Sequence, residues 1–203
     1  MSKYGHLTGN WYEALVNKMG GEARANAFVR DELILVPRNT IKIWDGDPFE
    51  VTLGGNCSID FSSHLLGLGT SVANSAKKML GMKSFMATEK TEEQQISVVV
   101  IDVGILGFGG SSPLRSEVYR RAFGFGLDIC PVETAPRFLM QFSKKLKCGE
   151  WFFFASEPIP GEDDDASLFM VGCHSHNEPY LTGYSIRDSI LPNNARLAFQ
   201  IRK

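Results

Sequence analysis

No run in this chain of 203 residues approaches the roughly 18 consecutive apolar residues that a membrane-spanning helix needs. The opening MSKYGHLTGN also lacks the apolar stretch of a signal peptide, so the expected compartment is the cytoplasm. There is no C-x-x-C. Cys57, Cys130, Cys148 and Cys173 stand far apart, as expected of free thiols rather than a disulfide framework. An excess of one charge is missing too: 21 basic against 23 acidic residues leave a formal charge of −2. That balance argues against a protein that holds nucleic acid through a broad positive field. No internal repeat or low-complexity tract is present, and neither G-x-S-x-G nor H-E-x-x-H occurs.

What is present is the composition of an ordinary globular chain, long enough to bury a sizeable core. NWYEALVNKMGGEARANAFVRDELILVP reads as two short helices and a strand, the glycine pair ending the first helix. IKIW and FEVTL flank the turn-rich DGDP and suggest a hairpin. Residues 58–82 suggest two helices joined by LGLG, with Thr70 or Ser71 capping the second and Val72, Ala76, Met79 and Leu80 pointing inward. ATEKTEEQQ, residues 87–95, is polar throughout and is the candidate linker.

Beyond it, ISVVVIDV has the continuous β-branched character of a buried strand. The stretch SSPLRSEVYRRAFGFG predicts a helix with Ser112 as N-cap, Pro113 in its first position, and Leu114, Val118 and Ala122 on the inner face. A further helix is expected from about Thr134, with Pro136 accommodated in its first turn. EWFFFASEP, SLFMVGC, PYLTGYS and ARLAFQIR then predict an antiparallel meander. The expected class is α+β, short helices followed by a mainly antiparallel sheet. Residues 1–86 form a helical segment with a small hairpin and 96–203 an α+β domain, standing apart or packed as one unit.

Five stretches invite a chemical reading. The glycines at 104, 107, 109 and 110 lie between a strand and a helix, where backbone N–H groups can hold phosphate. Their spacing fits neither dinucleotide nor P-loop patterns, and a tight turn is the simpler reading. EDDDAS, residues 162–167, lacks the calcium-loop spacing and reads as a solvated loop. The helices of residues 60–80 suggest a DNA-binding pair, but Lys77 and Lys78 fall at the wrong end of the second helix for groove reading. A Cys57–His64 pair is imaginable, with a core cysteine as the plainer alternative.

VGCHSHNEP, residues 171–179, is the richest of the five. Strand alternation would send His174 and His176 to one face and Cys173 to the other. Two imidazoles on one face begin a metal site, for which Glu178 or the remote His6 or His64 would be the third ligand. Glu178 falls too near His176 for the cupin pattern, and Asn-Glu-Pro marks a turn.

GFGLDICPVETAPRFLMQF, GEWFFFASEPI and ARLAFQIRK together resemble a family of bacterial hypothetical proteins. That family has a G-L-x-[LI]-C-P-x-E-x-x-P core followed by G-E-W and E-P-I segments. The matching positions are Gly126, Leu127, Cys130, Pro131, Glu133, Pro136, Gly149, Glu150, Trp151, Glu157, Pro158 and Ile159. The resemblance covers most of the chain and brings no activity with it. At the level of fold alone, the C-terminal half is loosely similar to C-type-lectin-like domains, which implies a binding surface on the loops near residues 172–195.

With no complete catalytic constellation, the expected function is a non-catalytic binding or interaction module, without a cofactor. Its partner would be a protein or small ligand held by His174, His176, Tyr180 and Tyr184 on the C-terminal loops. Neither nucleic acid nor a membrane is an expected partner, and the oligomeric state is open. The alternatives are a small metal-dependent enzyme built on His174, His176 and Glu178, and a DNA-binding protein using the helices of residues 60–80.

Overall fold

The computed structural model describes residues 43–44, 46–55, 60–86, 92–110, 112–160, 166–185 and 190–202. All belong to the compact unit Lys42–Lys203. The helices and strand expected before residue 37, Cys57, and residues 162–165 of the acidic stretch lie outside the described residues.

Among the described residues, nine strands make one mixed sheet. They are β1 (Phe49–Leu53), β2 (Ser71–Val72), β3 (Gln94–Asp102), β4 (Leu127–Asp128), β5 (Trp151–Phe154), β6 (Ile159–Pro160), β7 (Ala166–Cys173), β8 (Pro179–Ser185) and β9 (Arg196–Ile201). The main order is β1-β3-β9-β5-β7-β8-β2, with β4 added beside β9 and β6 beside β7. Most pairings are antiparallel; β2 with β8 and β5 with β9 are parallel. The helices are α1 (Phe61–Gly67), α2 (Asn74–Leu80), α3 (Lys83–Met86), α4 (Arg115–Gly124) and α5 (Thr134–Phe142). The α+β class and the mainly antiparallel sheet are as the sequence predicts.

Alternation along the central strands feeds two cores, one on each face. In β3, Ile96 and Val98 join one buried cluster while Val99 and Ile101 join the other. In β5, Phe152 and Phe154 face α1, α2 and α5 residues such as Leu65, Ala76 and Phe138, whereas Phe153 shares its cluster with Val118 and Ala122 of α4. A strand covered on both faces needs no polar side, which is why WFFF and SVVVI are written without one.

The same demand corrects the predicted meander. β5, β7 and β8 do run antiparallel in succession. β9, however, returns to the middle of the sheet, antiparallel to β3 and parallel to β5. Leu197 and Phe199 go into one core and Ala198 into the other, so β9 buries both faces only at a central position. At about 1.5–3 kcal/mol for each large apolar side chain removed from water, that outweighs the longer connection.

Other local expectations shift for similar reasons. FEVTL pairs with β3, register Phe49↔Val98; of the predicted partner run, Ile43 and Trp44 are not in a strand and the rest lies outside the described residues. β3 thus begins inside the candidate linker, at Gln94, and the strands on either side of it share one sheet. Thr70 and Ser71 cap nothing, because Ser71–Val72 pair with β8 before α2 begins at Asn74. That strand separates α1 from α2, and α2 lies against β8 with Ser75 Oγ accepting the Gly183 N–H at 3.0 Å. The pair is therefore not a helix-turn-helix. α4 starts at Arg115, past Ser112 and Pro113, since Leu114 is drawn into an extended bridge with Ile190 and stays exposed. α5 begins at Thr134 as predicted, with Pro136 in its first turn. The glycine stretch closes as a turn, with Phe108 N–H donating to the Val103 carbonyl at 3.1 Å; Gly107 kinks it with φ +87°, and Arg121 donates to the Leu106 carbonyl at 2.7 Å.

Candidate functional site

Chemically capable side chains gather where β7 turns into β8. The register Cys173↔Pro179 leaves a short loop closed by His174 N–H donating to Glu178 O at 2.9 Å and Asn177 N–H donating to His174 O at 3.0 Å. Ser175, His176 and Asn177 are the three loop residues. Such a loop ends with a residue in the left-handed region, and Asn177 supplies it with φ +63°. Asparagine tolerates that region better than most side chains.

Residues 174–178 are all exposed. The His174 and His176 rings stack at 6.0 Å between centroids, and His174 also lies 4.5 Å from the Tyr180 ring. Tyr180 in turn covers Gly172, where a Cβ would come within 2.5 Å of the phenol oxygen. Ser175 Oγ and His176 Nδ1 are 3.3 Å apart. Hydroxyl and imidazole are thereby within loose hydrogen-bonding reach on a solvent-facing tip.

Cys173 points the other way, into the core with Val171 and Phe169. Its thiol lies 3.8 Å from Asn177 Oδ1, and the Cys148 thiol reaches the same oxygen at 3.8 Å. Cys148 precedes β5 in a tight turn closed by Glu150 N–H donating to Lys147 O at 2.9 Å, with Gly149 at φ +77°. Glu150 fixes that turn further: its carboxylate accepts from Lys147 N–H at 3.1 Å and pairs with Arg196 at 3.1 Å. Burial, and then the neighbouring Cys148 thiol, hold the Cys173 thiol above its ordinary range.

The predicted site residues are thus brought together only in part. His174, His176 and Tyr180 form one stack. Tyr184 sits four residues further along β8 and packs on Phe153 at 5.0 Å instead. Glu178 contributes its backbone carbonyl to the loop. Among the described residues, no three histidines, cysteines or carboxylates converge as a metal site, so the metal set of His174, His176 and Glu178 is not assembled. Two features escaped sequence reading: the Ser175–His176 contact, and the meeting of Cys148 with Cys173. The second follows from pairing SLFMVGC with both of its neighbours, a pairing the apolar pattern suggests but does not register.

Two other polar groups sit deeper. Tyr119 donates to the Ser156 carbonyl at 3.1 Å and accepts its N–H at 3.2 Å; burial pushes its phenol up to about 12. Glu133 and Arg137 form a buried pair at 3.3 Å in the first turns of α5, with Arg137 also over the Phe61 ring at 5.2 Å. Cys130 is wholly buried and its thiol is held far above the ordinary range by desolvation, so it is no nucleophile. A hollow of about 490 Å³ is lined by Lys77, Lys78 and Lys83 together with Pro160, and shares no residue with the β7–β8 turn.

No family model matches the chain, and no solved structure matches it. Among curated proteins it is similar to the juvenile hormone esterase of Heliothis virescens, 25% identical over 190 residues. The aligned stretch covers 88% of this chain and 32% of the esterase, so the chain spans about a third of that relative's length. The similarity to an enzyme overturns the reading as a non-catalytic binding module. That reading rested on missing motifs. Among the described residues no helix is long and apolar enough to cross a membrane.

Proposed function

We propose that this chain has a catalytic role in hydrolysing carboxylic esters, with the tip of the β7–β8 turn as its working site. The similarity to an esterase along 88% of the chain carries the reading. The Ser175–His176 contact at 3.3 Å supports putting that chemistry at this tip. Ser175 Oγ attacks the ester carbonyl while His176 Nδ1, in the tautomer that leaves this nitrogen unprotonated, takes the hydroxyl proton. The alcohol leaves with that proton, and water then releases the acyl group from Ser175 by the same route in reverse. The His174–Tyr180 stack beside the pair offers an aromatic surface to the apolar part of the ester.

The 3.3 Å separation is longer than a working nucleophile–base bond, as is common before substrate arrives. An exposed tip excludes little water, which favours activated or small esters over demanding ones. Hydrolysis of p-nitrophenyl acetate and p-nitrophenyl hexanoate tests the reading. The wild-type chain should turn over at least one of them, and Ser175→Ala and His176→Ala should each lower the rate by roughly 100-fold or more. A wild-type rate equal to buffer, or full activity in Ser175→Ala, would overturn it.

A further inference from the structure

Independently of any hydrolysis, the Cys148 and Cys173 thiols make a pair that nothing in the preceding sections uses. We propose that Cys148 and Cys173 form a reversible dithiol–disulfide site that accepts oxidising equivalents from small-molecule disulfides. Two observations place the two sulfurs together. Both thiols lie 3.8 Å from one acceptor, Asn177 Oδ1. Their backbones are locked side by side, Gly149 N–H donating to Cys173 O and Cys173 N–H donating to Glu150 O, each at 2.8 Å. Both are free thiols, Cys148 exposed and Cys173 buried.

The asymmetry assigns the roles. Cys148 meets the oxidant, because it stands at a turn tip in solvent, while Cys173 resolves the intermediate from inside. Cys148 thiolate attacks one sulfur of R–S–S–R. An S–S bond forms to Cys148, the original one breaks, and RS⁻ leaves, taking up the proton that Cys148 gave to water. Cys173 thiolate then attacks Cys148 Sγ and expels the second RS⁻, which takes up the proton lost by Cys173. Two protein thiols are oxidised to one disulfide and one small disulfide is reduced to two thiols.

The bond would tie the chain ahead of β5 to the last residue of β7, directly under the loop that Asn177 closes. Oxidation also removes the shared contacts to Asn177 Oδ1, so the loop should register the change.

The test treats the full chain with glutathione disulfide, followed by non-reducing digestion and mass spectrometry. The expected product is a cross-linked peptide containing Cys148 and Cys173, with two thiols lost to Ellman's reagent and regained with dithiothreitol. Cys173→Ser should instead accumulate a glutathione adduct on Cys148, and Cys148→Ser should show neither product. Because Cys173 is buried and its variant is at risk of misfolding, the exposed Cys148→Ser variant and the wild-type peptide map decide between outcomes. A stable glutathione adduct on wild-type Cys148, a cross-link that pairs either cysteine with Cys57, or no loss of thiols would overturn the proposal.

Discussion

The middle of the sheet and the tip of the β7–β8 turn are built from opposite materials. Phe152, Phe153 and Phe154 are each about 1% exposed, with aromatic neighbours on both faces. Residues 174–178 are all exposed and almost wholly polar. The centre commits its side chains to packing and has none left to react. The tip contributes little burial, and its hydroxyl, imidazoles and amide stay available. Stability and chemistry are thus separable here, and substitutions in one region should leave the other's property largely intact.

The hardest blow to the centre should come from Phe138→Ala. The ring is fully buried on α5 and meets Phe49, Phe142, Phe152 and Phe154 with centroids 5.0–5.7 Å apart. Its loss should cost about 3–5 kcal/mol in urea unfolding, the range for truncating a buried phenylalanine. A loss below about 1 kcal/mol would mean that this core is loosely packed and that the contrast with the tip is overstated.

Next is the buried pair on the same helix. Arg137→Met strips the guanidinium from beside the Glu133 carboxylate and should cost about 3 kcal/mol. Glu133→Met should cost a similar amount. The double variant should lose less than the two singles added together, since the two side chains share a contact that either single change already removes. Additive losses would show that the two side chains act through other partners.

A smaller effect should appear with pH. In the unfolded chain the Tyr119 phenol ionises near 10, whereas in the folded chain it holds its proton to about 12. Between those values the folded state binds more protons, so stability falls as pH rises through that window and is unaffected by this group below it. The loss should total roughly 2–3 kcal/mol by pH 12. Tyr119→Phe should flatten the slope between pH 10 and 12, at a cost of about 1 kcal/mol at neutral pH for the hydrogen bonds to Ser156. An unchanged slope in that variant would assign the alkaline sensitivity elsewhere.

The two regions also differed in how far they could be read from sequence. The centre was legible because burial on two faces leaves a mark on composition: ISVVVIDV and WFFF announce covered strands. The start of α5 at Thr134 was legible from its tolerated proline. Strand order was not, since nothing local in ARLAFQIR says that β9 inserts between β3 and β5 instead of extending the meander. Thr70 and Ser71 misled for a related reason: a two-residue strand pairing with distant β8 outcompeted a local cap. At the tip, Cys173 ends β7 with its side chain in the core, as alternation along SLFMVGC suggests, whereas His174 and His176 lie past the strand, where period-two alternation no longer applies. The Ser175–His176 contact and the Cys148–Cys173 meeting depend on loop geometry and on long-range register, which side-chain patterns do not encode.

The gentlest test falls on the residue that shapes the tip. Asn177 holds φ +63° and lends Oδ1 to two thiols at 3.8 Å. Thiols are weak donors, so those contacts should matter less than the backbone conformation. Asn177→Gly keeps the left-handed conformation at no steric cost, and stability should move by no more than about 0.5 kcal/mol. Asn177→Val forces a β-branched side chain into that region and should cost roughly 1–2 kcal/mol while disturbing the spacing of Ser175 and His176. If the glycine variant lost more than the valine variant, the amide rather than the backbone would be what holds the turn. The contacts from the two thiols to that amide would then belong to the architecture of the tip.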